Sequence, residues 1–174
     1  MPAKSLADGH VKFALLTTKP VIPRFPTAVE LDAGIQAELN VLASDFSWTA
    51  DPSDTVNERP VGLENNSPVP TLSNYSAAFT AFRYYDDATG QVDVTGDIVF
   101  QTVMVKGTRL WGYVRKNGKP AAGAWAEDDE LWLGLEFLTD TPAAPADGGG
   151  YIKARVVCLP QVGYPFTAVG PVVV

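Results

Sequence analysis

Residues 130–138, Glu-Leu-Trp-Leu-Gly-Leu-Glu-Phe-Leu, decide the fold class of this sequence because apolar side chains recur there at every second position. Successive side chains of a β-strand point to opposite faces, so a period of two indicates an extended strand. One face would be wholly apolar, with Leu131, Leu133, Leu135 and Phe137. The opposite face would be mixed, with Trp132, Gly134, Glu136 and Leu138. The segment therefore predicts a β-strand that packs one face into a core.

The same period occurs in residues 75–85 and 108–115, and a shorter apolar segment, 46–49, carries Trp48. Aromatic residues fall on both faces of the 75–85 segment, which indicates that neither face is freely solvated. Three further segments are predicted to be extended: residues 35–42, 151–159 and 164–174. The Asn117-Gly118 pair is typical of a type I′ hairpin turn, although the residues after it are not strand-like.

The chain has 174 residues, enough for one domain that buries about 70 % of the surface exposed by its unfolded chain. Its 15 glycines and 14 prolines divide it into short elements, which favours a β-rich architecture over a helical bundle. We predict a single β domain over residues 28–174, preceded by an extended N-terminal arm over residues 1–27.

Residues 97–107 leave two interpretations open. Asp97 is suited to the start of a helix and Gly107 to the position after its end. The β-branched residues between them favour a strand instead. The residues alone do not decide between helix and strand.

Two irregular segments stand out. Prolines at every third position, Pro20, Pro23 and Pro26, enforce an extended path, as in an arm lying on a surface or a loose terminus. Residues 50–74 form a long proline-containing loop, and loops of this length in compact domains usually have a function. We expect this loop to be ordered by packing against a neighbouring subunit.

The charge balance restricts the class of partner. There are 20 acidic and 13 basic residues, giving a formal charge of −7 and a pI near 4.6. A protein that grips nucleic acid needs clustered lysines and arginines, but no basic run here is longer than Arg115-Lys116. The chain is therefore not a conventional DNA-binding protein, although an acidic protein is suited to lie beside DNA and repel it.

Few residues are suited to catalysis. The single cysteine, Cys158, excludes an intrachain disulfide and a cysteine-based zinc site, and the single histidine, His10, lies in a polar N-terminal stretch. Glycines 148–150 precede a strand-like segment, whereas a phosphate-binding loop would open into a helix. The acidic run 127–130 lacks the spaced ligands of a calcium loop. We expect no catalytic, cofactor-binding or metal-binding residues, no cofactor and no enzymatic activity.

No apolar run approaches the roughly 18 residues of a membrane span, and the N-terminus carries no hydrophobic signal segment. The sequence therefore predicts a soluble protein that is made in a reducing cytosol and has no membrane partner.

An ordered series of segments resembles a known family: residues 107–116, Ala124-Trp125 with the acidic turn, 138–142 and 149–156, and more loosely 30–34 and 53–60. In this order they are similar to the major tail tube proteins of siphophages that infect actinobacteria. The resemblance covers about residues 28–160, and it is specific because of the order of the segments and not because of any single motif.

The resemblance implies a β-rich (α+β) fold of two packed antiparallel sheets, sandwich- or barrel-like, with one flanking helix that begins near Asp93–Asp97. It also implies hexameric rings that share a continuous inner β-barrel and stack into a tube. The implied partners are further copies of the chain, a tape measure protein inside the tube, tail terminator and distal tail proteins at its ends, and double-stranded DNA that passes without specific binding. The implied location is the virion tail, after assembly in the host cytoplasm.

Two sets of residues become candidates for these roles. For an acidic wall around the channel we name Asp128, Asp129, Glu130, Glu136 and Asp140. For contacts between rings we name Pro20, Pro23, Phe25, Val56, Pro60, Leu63 and Pro68.

Two alternatives remain. A tail terminator or neck protein would share the fold and the ring symmetry but would stop at rings. A β-sandwich module that binds carbohydrate or a receptor would present exposed, coplanar tryptophans, drawn from Trp48, Trp111, Trp125 and Trp132.

Overall fold

A computed structural model describes residues 6–62, 64, 68–145 and 149–171. The strands are β1 (Lys12–Leu16), β2 (Ile35–Gln36), β3 (Ser47–Asp51), β4 (Thr55–Val56), β5 (Val69–Pro70), β6 (Asn74–Phe82), β7 (Arg109–Arg115), β8 (Glu130–Thr139) and β9 (Lys153–Ala168). The helices are α1 (Ala28–Ala33) and α2 (Ile98–Val103), with a 3-10 turn at Ala43–Asp45.

Seven strands form one antiparallel sheet in the order β2-β1-β7-β8-β9-β6-β3. Strands β4 and β5 pair only with each other and form a separate two-stranded ribbon. The predicted β-rich fold of antiparallel sheets is confirmed. Within this fold the two halves of the seven-stranded sheet face each other, and two short helices, α1 and α2, lie beside it.

The sheet folds over on itself around aromatic side chains. Phe13 on β1 contacts Trp48 on β3, with ring centroids 5.0 Å apart, although four strands lie between β1 and β3 in the sheet. Phe13 also contacts Phe79 on β6 at 5.6 Å. The Trp48 indole N–H donates to the Leu133 carbonyl oxygen at 3.2 Å, so its one polar atom is satisfied inside the core.

Glycines on three strands make room for aromatic rings. A Cβ atom at Gly112 would lie 2.6 Å from Trp48 Cζ2, and one at Gly134 would lie 2.6 Å from Tyr113 Cε1. At the third glycine, Gly163, the space is filled by the ring of Tyr75. These rings occupy the space that a Cβ atom would fill, which allows bulky side chains to pack directly against the backbone of another strand.

The segment 97–107 contains a helix, as the resemblance implies, and α2 packs Val99, Phe100 and Val103 into the core. Asp97 precedes the helix, but its side chain does not cap it. The carboxylate instead accepts hydrogen bonds from Arg83 Nε at 3.0 Å and from the Tyr84 N–H at 3.1 Å. Gly107 does not follow the helix directly, because α2 ends at Val103; it has φ +82° in the turn to β7.

Two strand predictions need correction. Only Ile35–Gln36 of the segment 35–42 is a strand, because the chain turns after Ala37 and residues 40–42 then pair with β6 instead. The segments 151–159 and 164–174, which the structure describes as far as residue 171, do not form two separate strands. A single strand, β9, continues through Pro160 and Gly163, and a bulge opposite Glu136–Phe137 absorbs the irregularity.

The N-terminal region divides into two parts. Residues 12–16 form β1, a fully buried strand between β2 and β7, and do not lie on a surface. Residues 17–27 do lie on the surface of the domain. The domain boundary at residue 28 stays a prediction.

Gly112→Ala would force a methyl group into the ring of Trp48 at the centre of the core. We expect the free energy of unfolding of the unassembled subunit to fall by about 1–3 kcal/mol, the usual cost of overpacking. Chemical denaturation measures it. Gly62→Ala, where a Cβ atom has nothing within 4 Å, is the matched control and should change stability by less than about 0.5 kcal/mol. Equal stability of the two variants would show that the glycine at 112 is not required by the ring.

Candidate assembly surfaces

Strand β9 is longer than its neighbour β6 and therefore has a free edge. β9 pairs with β8 from Ala168 back to Cys158, but it pairs with β6 only from Cys158 back to Lys153. In the described part of the chain, no strand pairs with the other side of residues 159–168. Unpaired strand edges present backbone donors and acceptors to any passing strand, so this edge is suited to accept a second chain.

An aromatic pair lies at the C-terminal end of this edge. Phe166 is 67 % exposed and Trp132 38 % exposed, and their ring centroids lie 5.1 Å apart. The Lys116 ammonium lies 5.2 Å from the Trp132 ring centroid. Phe166 has φ +47°, a conformation that costs about 1–3 kcal/mol for a residue other than glycine. We name Trp132 and Phe166 the aromatic pair.

The predicted loop 50–74 is largely an extension of the β3–β6 hairpin. At its base the Asp54 N–H donates to the Leu72 carbonyl oxygen at 2.9 Å, and β4 then pairs with β5. Val56, Pro60 and Pro68 are all exposed on this ribbon, whereas Leu63 lies outside the described residues. Because these side chains are exposed, the ribbon leaves apolar surface in contact with water in a single subunit.

The proline segment 17–27 is held on the domain by hydrogen bonds. The Glu30 carboxylate accepts from the Val21 N–H at 2.7 Å and from the Thr27 N–H at 2.8 Å, and the Tyr113 hydroxyl donates to the Pro23 carbonyl oxygen at 2.7 Å. Burial opposes ionisation of Glu30, but these N–H donors outweigh it and lower its pKa. Of the three candidates in this segment, Pro20 is buried, Pro23 is half-buried and Phe25 is exposed.

Of the five candidate carboxylates, Asp129 is buried in an ion-pair network. It accepts from Arg115 Nη1 at 3.0 Å, and both side chains are almost fully buried. Lys119 forms a second ion pair with it, and the Ala126 N–H donates to it at 3.0 Å. Desolvation works against ionisation, but the Lys119 and Ala126 hydrogen bonds and the Arg115 charge outweigh it and lower the pKa of Asp129.

The same arginine holds the β7–β8 connection on the sheet. Arg115 also donates to the carbonyl oxygens of Ala124 and Pro120, each at 2.9 Å, and lies over the Trp125 ring. Asn117-Gly118 is therefore not a two-residue hairpin turn, because residues 116–129 fold back over the buried guanidinium before β8 begins.

The remaining four carboxylates differ in how far their charge is compensated. Glu136 is buried and forms an ion pair with Arg109, and it accepts from the Trp111 indole N–H at 3.2 Å. Asp140 is partly exposed, and its pKa is lowered by the Thr141 N–H and by Lys106, 3.3 Å away. Asp128 and Glu130 are exposed. The structure thus brings Asp128, Asp129 and Glu130 together at the start of β8 and places Asp140 after its other end.

The tryptophans do not form a sugar-binding platform. Trp48, Trp111 and Trp125 are buried, and Trp132 is the only one of the four with substantial exposure. This arrangement disfavours the carbohydrate-binding alternative, which needs several exposed rings.

A metal-binding or reactive centre would need suitable side chains among the described residues. No cluster of three or more histidine, cysteine, aspartate or glutamate side chains there is arranged to hold a metal ion. The Cys158 thiol is buried, and burial raises its pKa to about 12. Within the described ranges, no helix is long and apolar enough to cross a membrane.

Asp129→Asn would leave the Arg115 guanidinium buried without a counter-charge. We expect the free energy of unfolding of the unassembled subunit to fall by about 3–5 kcal/mol at neutral pH, measured by chemical denaturation. Because folding lowers the Asp129 pKa, this stabilisation is present above its ordinary value of 3.8 and is lost as the pH falls through the lower folded value. The wild-type and variant stabilities should therefore converge in acid.

Asp128→Asn is the control for that measurement, since Asp128 is exposed and asparagine tolerates its φ of +66°. We expect a change within about 0.5 kcal/mol. Equal stabilities of Asp129→Asn and the wild-type protein at neutral pH would contradict the role given to the Arg115–Asp129 pair.

Comparison with known proteins identifies the family. The chain matches the family described as phage tail tube protein over residues 1–171, which is nearly its whole length. No curated protein matches the sequence. With its antiparallel β fold, free strand edge and exposed ribbon, the chain belongs to the phage tail tube protein family.

Proposed function

We propose that this chain forms hexameric rings that stack into the hollow tail tube of a siphophage with an actinobacterial host, and that double-stranded DNA passes through the tube during genome delivery. Family membership itself makes the chain a structural subunit of a phage tail. The hexameric ring, the stacking into a tube, the host and the passage of DNA are inferred from the geometry of its surfaces and from the sequence resemblance. The observation that carries them is the free edge of β9.

The ring is proposed to close through two different strand edges. A contact between unlike surfaces propagates from copy to copy and closes into a ring when the rotation allows it. Residues 159–165 of β9 supply one edge. The outer edge of β3 supplies the other, since β3 pairs only with β6 in the described chain and Thr49 and Ala50 are exposed. Closure into a common barrel would remove both free edges.

Stacking of rings is assigned to the ribbon and to the proline segment. The exposed Val56, Pro60 and Pro68 on the ribbon and the exposed Phe25 on the proline segment offer apolar surface to a neighbour. Leu63, Pro20 and Pro23 remain in this proposal as parts of the same two segments. The tape measure protein would occupy the tube during assembly in the host cytoplasm, with terminator and distal tail proteins at its ends.

The acidic surface is proposed to keep DNA mobile. Duplex DNA carries about one negative charge per 1.7 Å of its axis, and a wall that bound those phosphates would retard the genome. Screening at physiological salt limits repulsion to about 8 Å, so only carboxylates on the channel wall matter. We place Asp128, Asp129, Glu130, Glu136 and Asp140 along that wall. Asp128 and Glu130 would supply most of its net charge, because the other three have cationic partners.

Val162→Lys tests the ring. Val162 is 42 % exposed on the free edge of β9, and a lysine there would oppose edge-to-edge pairing. We expect an unassembled subunit with wild-type thermal stability and no rings or tubes, as seen by light scattering and negative-stain microscopy. Val157→Lys is the matched control, because Val157 is 41 % exposed on the same strand but lies where both β6 and Asp140 already contact its backbone. Rings formed by Val162→Lys would exclude closure at this edge.

The same images separate the proposed function from its alternative. Hollow tubes of uniform width formed by the wild-type chain support a tube subunit. Rings that never stack would indicate a terminator or neck protein instead.

Charge reversal tests the channel wall. Phage carrying Asp128→Lys and Glu130→Lys should build normal tails but deliver DNA more slowly, because lysines would attract the passing phosphates. The measurement is the rate of DNA ejection from purified virions. Asp87→Lys, at an exposed acid in the 86–90 turn, is the control and should eject at the wild-type rate. Ejection at the wild-type rate by the double variant would exclude a lining role for these two carboxylates.

A further inference from the structure

We propose that rings stack through the two ends of β9, with the aromatic pair of one copy receiving Tyr151 and Ile152 of a copy in the next ring. This inference rests on the proposed tube function and adds a further pair of surfaces that meet between rings, besides the ribbon and the proline segment. It is carried by exposed apolar residues at both ends of the longest strand.

The first surface is the aromatic pair at the C-terminal end of β9. Trp132 and Phe166 present two rings at an interplanar angle of 68°, and Phe166 combines an exposed ring with a strained backbone conformation. Strain of this kind persists only where the surroundings impose it, and it concentrates at binding surfaces. Burial of the rings against a partner would offset the cost of the conformation.

The second surface lies at the opposite end of the same strand. Tyr151 and Ile152 immediately precede β9 and are both exposed, Tyr151 by 81 %. They are held in place from one side, because the Tyr151 ring contacts Phe82 with centroids 5.9 Å apart and the Arg83 N–H donates to the Ile152 carbonyl oxygen at 2.9 Å. This is an ordered apolar pair without a cover in the described chain.

The two surfaces cannot meet within one copy. Phe166 lies 14 positions along the chain from Ile152, a distance of about 46 Å at 3.3 Å per residue of extended strand. Unlike surfaces at opposite ends of a subunit give a head-to-tail contact, and a head-to-tail contact that does not close on itself continues without limit. That is the geometry that a tube requires along its axis.

Cysteine cross-linking tests the contact directly, because the one native cysteine is buried. Lys116→Cys, beside the Trp132 ring, and Ile152→Cys are combined in one chain so that the aromatic pair stays intact. Tubes are assembled and oxidised, and the products are separated under denaturing conditions. We expect a ladder of dimers, trimers and larger products. Each single variant is the matched control and should give no ladder, because residue 116 meets residue 152 and not itself.

Truncation provides a second measurement. Phe166→Asn removes the ring but suits the positive φ, so the subunit should keep its fold and its rings while tubes are lost. Trp132→Ala should have the same effect on stacking. Val157→Ala, at a similarly exposed apolar side chain in the middle of β9, should leave tubes unchanged.

The outcomes distinguish this inference from the function on which it rests. Wild-type chain that never forms tubes overturns both. Two results would overturn only the contact between the ends of β9 while the wild-type chain still forms tubes. One is the absence of a ladder in the double cysteine variant. The other is the formation of normal tubes by both Phe166→Asn and Trp132→Ala.

Discussion

The fold depends on the contact that Trp48 makes across the interior of the sheet. Its ring lies on the bare backbone of Gly112, packs against Phe13 and donates its N–H to the Leu133 carbonyl oxygen. One side chain on an end strand thereby fixes three other strands. Without it the two halves of the sheet would be held by fewer contacts, such as that of Phe13 with Phe79.

Outside this core, the buried Arg115–Asp129 pair organises the connection from β7 to β8. Removal of one partner of a buried pair is far more costly than formation of the pair is favourable. The pair therefore fixes the conformation of the connection more than it raises stability. It also changes the electrostatics of the acidic run, because one of its carboxylates is internally neutralised while Asp128 and Glu130 remain exposed.

The surfaces that a single copy leaves unsatisfied all have the same origin. β9 extends beyond β6, the ribbon extends beyond β3 and β6, and apolar side chains are exposed at both ends of β9. A monomer gains nothing from an unpaired strand edge or from aromatic rings in water. Each of these features would become favourable if neighbouring copies covered it, which agrees with membership of the phage tail tube protein family.

The sequence alone determined the class of fold. Residues 130–138 and 75–85 were predictable as strands because alternation at a period of two depends only on local geometry and on which side chains avoid water. The family was also accessible from the order of its segments. These properties depend on the local sequence, so they could be predicted without knowledge of contacts between distant residues.

Only the tertiary structure decided which charges are free and which edges are open. Asp129 and Glu130 are adjacent in sequence, yet one is buried beside Arg115 and the other is exposed, because that difference depends on a strand 14 residues away. The sequence likewise divided β9 into two segments, since a proline and a glycine normally end a strand. Pairing with β8 across a bulge kept it continuous, and the free edge arises because β6 is too short to accompany it.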